Sequence, residues 1–442
     1  MTARPRLHRT ARTLGALALL QLAAPANAAL TGTVLLAGRL TRDPPPREPA
    51  RRRTVLLSGG KMTKSLQLAR AFHRAGHRVV LVESAAYRLT GHRFSRCVDA
   101  FHVVPKPQDP AYAQALLDVV RRENVDVYVP VCSPAASYYD ALAKPLLEPH
   151  CEVLHADADV IAALDDKYRF TELARSFGLP TPDAHRIESP TQLERFDFAA
   201  AQPPYVLKSI PYDPVNRLDL TPLPRPTPQQ TTAFARSKTI SRDTPWIMQS
   251  LVRGQEYCTH GTARDGRLQV YACCPSSAFQ VNYEMVEHPG IESWVRTFIE
   301  RLGVSGQFSF DFIETADGTA LPIECNPRTH SAITMFYDQT DALARAYLDD
   351  GVDTLTPTQR SRPTYWLYHE LWRMISRPST ARQRAAVLAR GKDAIFDLHD
   401  PLPFFVVHHV QIPALLLRNL VRGKDWIRID FNIGKLVEPA GD

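Results

Sequence analysis

Four polar residues stand at intervals that suit cation and phosphate chemistry. Asp311 lies in FSFDFIE, Glu324 thirteen residues later in PIECNPR, and Asn326 and Arg328 follow at steps of two. Asp317-Gly318 between the two runs is a tight-turn signal, so they read as antiparallel strands of one hairpin. Strand side chains alternate, which puts Glu324, Asn326 and Arg328 on one face that Asp311 can share. Two carboxylates and an amide oxygen suit a hard divalent cation, Mg²⁺ above all with Mn²⁺ as a substitute. Such an ion takes one or two carboxylates plus the phosphates of a substrate. Arg328 would add a fork for a phosphate. The plain alternative is a solvated hairpin face. Against it, Asp311 stands between two Phe, and Ile323 and Cys325 flank Glu324, the pattern of a cleft wall.

Two lysines and a glycine turn extend the set. Lys208 is embedded in the apolar run YVLKS, where a buried ammonium needs an anion. Lys167 follows Asp165-Asp166 at a helix start and, taken alone, reads as a solvated side chain paired with those aspartates. Gly59-Gly60-Lys61 joins a strand to a helix N-terminus, where free N–H groups attract anions. Met62 and Thr63 break both the dinucleotide fingerprint and the P-loop, so a nicotinamide dehydrogenase is disfavoured, and a tight turn with a solvated Lys61 is an equal reading. His408-His409, in an apolar run, reads as a core or interface pair rather than a metal site.

The elements that must position these residues fall into distinct stretches. Strands are expected over Thr54–Ser58, Arg78–Glu83, Asp126–Cys132 and Cys151–His155, with an amphipathic helix carrying Leu66, Ala69 and Phe72 after the first. Further helices over Ala111–Arg122 and Ser137–Ala143 make residues 54–160 a small doubly wound parallel-sheet domain. Residues 161–345 read as α+β. A helix over Lys167–Phe177 ends at Gly178, and strands follow at Tyr205–Ser209, Trp246–Gln249, Glu256–Ala263, Arg267–Cys274 and Gly306–Glu314. A proline-rich loop runs from Pro211 to Pro228, and a helix over Ile291–Arg301 interrupts the strands. Residues 346–442 form a C-terminal extension, aromatic-rich and then apolar from Pro401 to Leu420.

The chain has 442 residues, 44% hydrophobic and 22% charged, which excludes a disordered chain, a fibrous rod and a multi-span membrane protein. Its net charge of +7 is misleading, because residues 1–53 hold ten Arg against Asp43 and Glu48, and the other 389 residues balance to −1. No nucleic-acid partner is therefore expected. Between Arg12 and Arg39 lie 26 uncharged residues, long enough to cross a bilayer, while Ala26-Asn27-Ala28 resembles a signal-peptidase site. Cleaved signal, span and surface-lying helix compete for residues 13–38. The flanking arginines favour a tether on the cytoplasmic face, followed by a proline-rich linker over Pro44–Pro49. Seven cysteines without a CxxC pair fit a reducing, cytoplasmic compartment.

Taken together, DK…GLPTP, YVLKS, WIMQSLVRGQEY, FSFDFIE and IECNPR resemble the ATP-grasp ligases over about residues 54–340. The resemblance implies a parallel-sheet domain followed by two α+β subdomains that grip ATP. It implies that Lys167 and Lys208 hold phosphates, that Gln249 with the backbone of Leu251 or Val252 reads adenine, and that Glu256 takes the ribose hydroxyls. Asp311, Glu324 and Asn326 would bind Mg²⁺, and Arg328 the transferred phosphate. Gln249-Ser250 departs from the charged residue frequent at the hinge, a minor change because adenine is read mainly by backbone there. SGGKMTK, LTGHRFS, DVYVPVCSP, ASYYDALAK and ECNPRTHSAITMFY further resemble the mycosporine-glycine synthetase branch. That implies joining glycine to 4-deoxygadusol with ATP hydrolysed to ADP and phosphate. Substrate contacts would come from Gly59, Gly60, Lys61, His92, Arg93, Ser133, Arg328, His330 and Ser331. Two other expectations stand beside this one: a carboxylate–amine ligase working through an acyl phosphate, and a membrane-tethered nucleotide-binding module without ligase activity.

Overall fold

A computed structural model describes residues 3–40, 48–131, 136–201, 204–210, 219–276 and 282–438. The first folded body is a five-stranded parallel sheet in the spatial order Ala100–Val104, Arg78–Ser84, Thr54–Leu57, Val127–Val129, Glu152–Val153. Four of these match the expected strands. The edge strand Ala100–Val104 was not expected, because its AFHVV run carries a mid-strand histidine. That histidine is held by Glu123, with Nε2 2.7 Å from Oε1. Strand order reverses beside Thr54–Leu57, which makes the end of that strand the topological switch point. Gly59 turns there at φ +65°, and a Cβ on it would lie 1.9 Å from the Val131 carbonyl oxygen. Only glycine meets both conditions.

The helix Thr63–Arg74 departs from expectation in its surroundings. Instead of presenting one apolar face, it is buried on all sides from Thr63 to Phe72. The C-terminal extension supplies the second cover. Trp366 Nε1 donates to Thr63 Oγ1 at 3.0 Å, and Arg70 Nε donates to Asp400 Oδ2 at 2.9 Å. The extension is thus part of the first body's core rather than an appendage. Its short strands Thr364–Tyr365 and Lys392–Asp393 form a sheet with Asn282–Tyr283. Its long helix runs from Leu402 through a π segment over Val407–Gln411 to Arg422.

A two-stranded antiparallel sheet, Arg428–Asp430 with Lys435–Val437, follows the C-terminal helix, and two larger antiparallel sheets lie between the first body and the extension in sequence. One has three strands, Ala184–Ile187, Trp246–Ser250 and Tyr205–Ser209, with the second in the centre. The other has four, ordered Arg267–Pro275, Gln255–Arg264, Gly306–Glu314, Ala320–Asn326. The helix Pro289–Leu302 lies on the four-stranded sheet through an aromatic cluster. Trp294 stacks on Phe298 at 5.1 Å, and both rings meet Phe170 and Phe310 edge-on. Pro211 and Pro214 of the proline-rich loop lie outside the described residues. Its far end forms an unexpected helix, Pro228–Arg236, capped by Thr227. The linker over Pro44–Pro49 also falls mostly outside the described residues. Ahead of it, Ala3–Leu40 is one helix that continues through Pro25 and packs on the C-terminal helix.

Candidate active site

The hairpin of Gly306–Glu314 and Ala320–Asn326 forms as expected, and its register sets Asp311 directly opposite Glu324 and Ser309 opposite Asn326. A bulge follows Asp311, so the strand changes course immediately beside the carboxylate. Asn326 Nδ2 reaches both acids, lying 3.4 Å from Asp311 Oδ2 and 3.4 Å from Glu324 Oε1. Burial, and then the Glu324 charge, push the Asp311 carboxyl well above the usual range. Burial works against ionised Glu324 too, but Lys167, Asp311, Lys208 and Arg328 outweigh it and hold that carboxyl down near 2. Two facing carboxyls driven apart in this way make a site where a cation relieves the strain of a second negative charge. Among the described residues no group of three or more His, Cys, Asp or Glu converges as a metal site, and here two acids and an amide stand together.

Three cations ring the acids. Lys167 corrects one expectation: its Nζ lies 3.5 Å from Glu324 Oε2, instead of pairing with the neighbouring aspartates. The reason is local. The Asp166 side chain turns back to cap its own helix, accepting from the N–H groups of Tyr168 and Arg169, and also pairs with Arg186. Lys208 sits on the same face as Gln249, since Val206 pairs with Gln249 across the strands, and its Nζ donates to Gln249 Oε1 at 3.1 Å. Burial pulls the Lys208 ammonium below its ordinary value; Glu324, Asp311 and the exposed Glu256 partly restore it. Arg328 donates from Nη2 to Asn326 Oδ1. Its Nη1 is buried, makes no hydrogen bond among the described residues, and lies 3.7 Å from Asp165 Oδ1. Gln249 Nε2 is likewise buried and unbonded. Two orphan donors in one site mark places where a ligand's acceptors fit.

Asp165 is the site residue that sequence reasoning missed. Burial raises its carboxyl against the pull of Arg328 and Lys167. Its only signal is the Asp-Asp-Lys run. Where the resemblance implies a hinge, the Leu251 N–H bonds to the Pro204 carbonyl at 2.8 Å and the Val252 N–H to the Ser250 carbonyl at 2.9 Å. Gly254 lets the chain pass the neighbouring strand, since a Cβ there would lie 1.8 Å from the Glu314 carbonyl oxygen.

The residues expected to touch substrate are divided between two places. A cavity of about 1110 Å³ opens at the switch point, lined by Ser58, Gly59, Lys61 and Tyr87 on one side and by Gln411 and Arg418 of the extension on the other. Lys61 Nζ lies 3.6 Å from Glu83 Oε2 and 4.2 Å above the Tyr87 ring. His92 is buried behind this turn, its Nδ1 donating to the Gly60 carbonyl at 2.9 Å, and burial lowers it to about 3. Arg93 packs over Phe101 at 4.6 Å. His330 caps the turn Ser331–Phe336, and Ser331 bonds to Asn432 of the extension. Neither lines the cavity. Ser133 lies outside the described residues.

No family model matches the sequence, and no curated protein matches it significantly. Solved structures do match the fold. An N5-carboxyaminoimidazole ribonucleotide synthetase in its ADP complex aligns at TM-score 0.55 and 15% identity, covering 75% of this chain and 87% of that one. An L-amino acid ligase from Bacillus licheniformis aligns at 0.51 and 15%, covering 68% and 76%. A biotin carboxylase from Campylobacter jejuni, complexed with β,γ-ATP, aligns at 0.52 and 13%, covering 71% and 74%. The parallel-sheet body, the two larger antiparallel sheets and these alignments give the chain the ATP-grasp fold.

Proposed function

We propose that the chain is an ATP-dependent ligase that forms a C–N bond, joining glycine to 4-deoxygadusol to give mycosporine-glycine with release of ADP and phosphate. The observation that carries the ligase reading is the facing pair Asp311 and Glu324, with Asn326 between them and Lys167, Lys208 and Arg328 around them. The donor set fits Mg²⁺: two carboxylates and an amide, too few for a closed protein cage but enough when phosphates complete the shell. Asp311, Glu324 and Asn326 would hold the ion, which supplies charge neutralisation to the phosphates when bound. Lys167 and Lys208 would fix those phosphates, the orphan Arg328 Nη1 would take an oxygen of the transferring group, and Gln249 Nε2 would meet the base. Leu251 and Val252 would flank the base, and Glu256 the ribose.

In this reading an enol oxygen of the acceptor gives up its proton and takes the γ-phosphoryl group, and ADP leaves. The glycine nitrogen then attacks the carbon bearing that oxygen, phosphate departs with the oxygen, and the nitrogen gives up a proton. Catalysis is positioning and charge spreading. The cysteines need no role; the six described ones are buried. The finer substrate assignment rests on the sequence resemblance, together with Gly59 and Lys61 lining the cavity. Incubating the protein with ATP, Mg²⁺, 4-deoxygadusol and glycine should give a new enaminone absorption band and glycine-dependent ADP release. ADP release with no such band, but with an amide product from a carboxylate acceptor, would replace this substrate pair. The likeness to an L-amino acid ligase favours that second reading.

A further inference from the structure

The N-terminal helix is built the wrong way round for water. Its buried positions are Thr13, Leu20, Asn27 and Thr31, mostly polar and spaced so as to lie along one stripe. Arg12 lies 3.9 Å over the Trp426 ring, and Trp426 Nε1 donates to Thr13 Oγ1 at 3.0 Å. Farther along, Asn27 Nδ2 reaches His409 Nε2 at 2.9 Å and the Tyr368 hydroxyl at 3.3 Å. Meanwhile Leu14, Leu19, Leu22, Leu30, Leu35 and Leu36 point outward, Leu22 with 78% of its surface exposed. The neighbouring C-terminal helix repeats the pattern. Its deep face is core, but Val410, Leu417 and Val421, on one stripe, are exposed, the last at 86%. Both packed helices leave uncharged apolar side chains exposed on the sides turned away from the core, the kind of surface that marks an interaction site.

We infer that these two helices form one surface that lies flat in the headgroup region of an anionic membrane. Charge selects the occupant. Basic side chains stand near both ends of these faces: Arg12 at one end, and Arg418, Arg422 and Lys424 at the other. The last three also line the mouth of the switch-point cavity, and Lys424 pairs with Glu438. Residues 1–53 carry ten Arg against two acids. Anionic lipid complements these basic ends, whereas a second copy would bring like charges together. Length selects the orientation. The stretch docked from Arg12 to Thr31 rises about 28 Å at about 1.5 Å per residue, close to the hydrocarbon thickness of a bilayer. Arg12, Thr13, Gln21 and Asn27 bond to the C-terminal extension and Thr31 beyond them is buried, so the docked helix lies along the membrane instead of crossing it.

The test is flotation of the full-length protein with phosphatidylcholine vesicles, with and without about one-third phosphatidylserine. The expected result is binding that requires phosphatidylserine, weakens with salt and is released by alkaline carbonate. Leu417→Glu with Val421→Glu should lower the bound fraction at least tenfold at unchanged melting temperature; Leu22→Glu provides an independent check. Carbonate-resistant protein would mean a span and overturn the proposal. So would flotation unaffected by all of these substitutions, or a protein that ignores vesicles and forms dimers in light scattering.

Discussion

Two clusters of the same residue types, both built across long sequence separations, are finished to different degrees. Around Arg70 the guanidinium and the carboxylate it meets are paired. Its Nε meets Asp400 Oδ2 at 2.9 Å, and its Nη2 meets the carbonyls of Ile395 and Asp400 at 2.8 and 3.0 Å. Asp400 takes further bonds from Ser95 Oγ and the Arg96 N–H, and Arg74 closes on Asp397 at 2.7 Å. Around Asp311 and Glu324 the charges crowd without saturating. Asn326 is stretched between two acids at 3.4 Å, and Arg328 Nη1 and Gln249 Nε2 are buried without hydrogen bonds. A saturated network fixes structure, while an unsaturated one keeps capacity for something that binds. What sets the second cluster apart is that its unbonded donors stand beside two crowded carboxyls.

The largest test breaks the saturated side. Arg70→Ala leaves Asp400 buried without its cation, and removing one partner of a buried pair costs about 3–5 kcal/mol. The urea midpoint should fall accordingly. A variant that melts like the wild type would erase the distinction between the clusters.

Next in size is Glu324→Gln on the unsaturated side. The shape stays and one acid of a crowded pair is lost, so melting should hardly move. ATP-dependent turnover should fall at least a hundredfold, about 2.7 kcal/mol in barrier. A loss of stability with turnover intact would make this cluster structural too.

These clusters also differ in how far they can be read from sequence. Asp311, Glu324 and Asn326 are legible because a hairpin's period of two and an Asp-Gly turn fix which residues share a face. Lys208 is legible because an ammonium in an apolar strand demands company. Lys167 was visible but its partner was not, since capping by Asp166 is settled by backbone geometry at the helix start. Arg70 was illegible. Within its own helix it belongs to the polar face, and what buries it is a segment some 330 positions away. The same distance hides the docking of Asn27 on His409 and the second cover of Thr63–Arg74. Short-range periodicity reveals which faces exist, and the long-range partner decides what covers them.

Acid should probe the buried histidines, and a substitution at His408 isolates the one in the extension. Burial lowers His408 to about 3, and its Nδ1 donates to the Phe404 carbonyl at 2.6 Å. A free histidine titrates near 6.5, so the unfolded chain takes the proton first as pH falls. The stability held by neutral His408 is therefore complete above about pH 6.5 and drains away as pH falls toward 3. In His408→Gln the slope of unfolding free energy against pH, between about 4 and 6, should flatten by about 1.4 kcal/mol per pH unit. An unchanged slope would mean that this ring is already protonated in the fold.

The finest comparison substitutes one arginine in each cluster by lysine. At Arg328 the guanidinium spends Nη2 on Asn326 and holds Nη1 in reserve, so its value lies in having two donors in a fixed plane. Lysine keeps the charge but loses the fork, so turnover should fall about tenfold, about 1.4 kcal/mol, with melting unchanged. At Arg74 a half-exposed guanidinium makes one bond to Asp397, which a lysine can replace. Arg74→Lys should cost less than about 1 kcal/mol of stability and nothing in turnover. If both variants behave alike in both measurements, the unbonded Nη1 of Arg328 has no chemical task. If they part as described, the reserve donor itself contributes to the reaction.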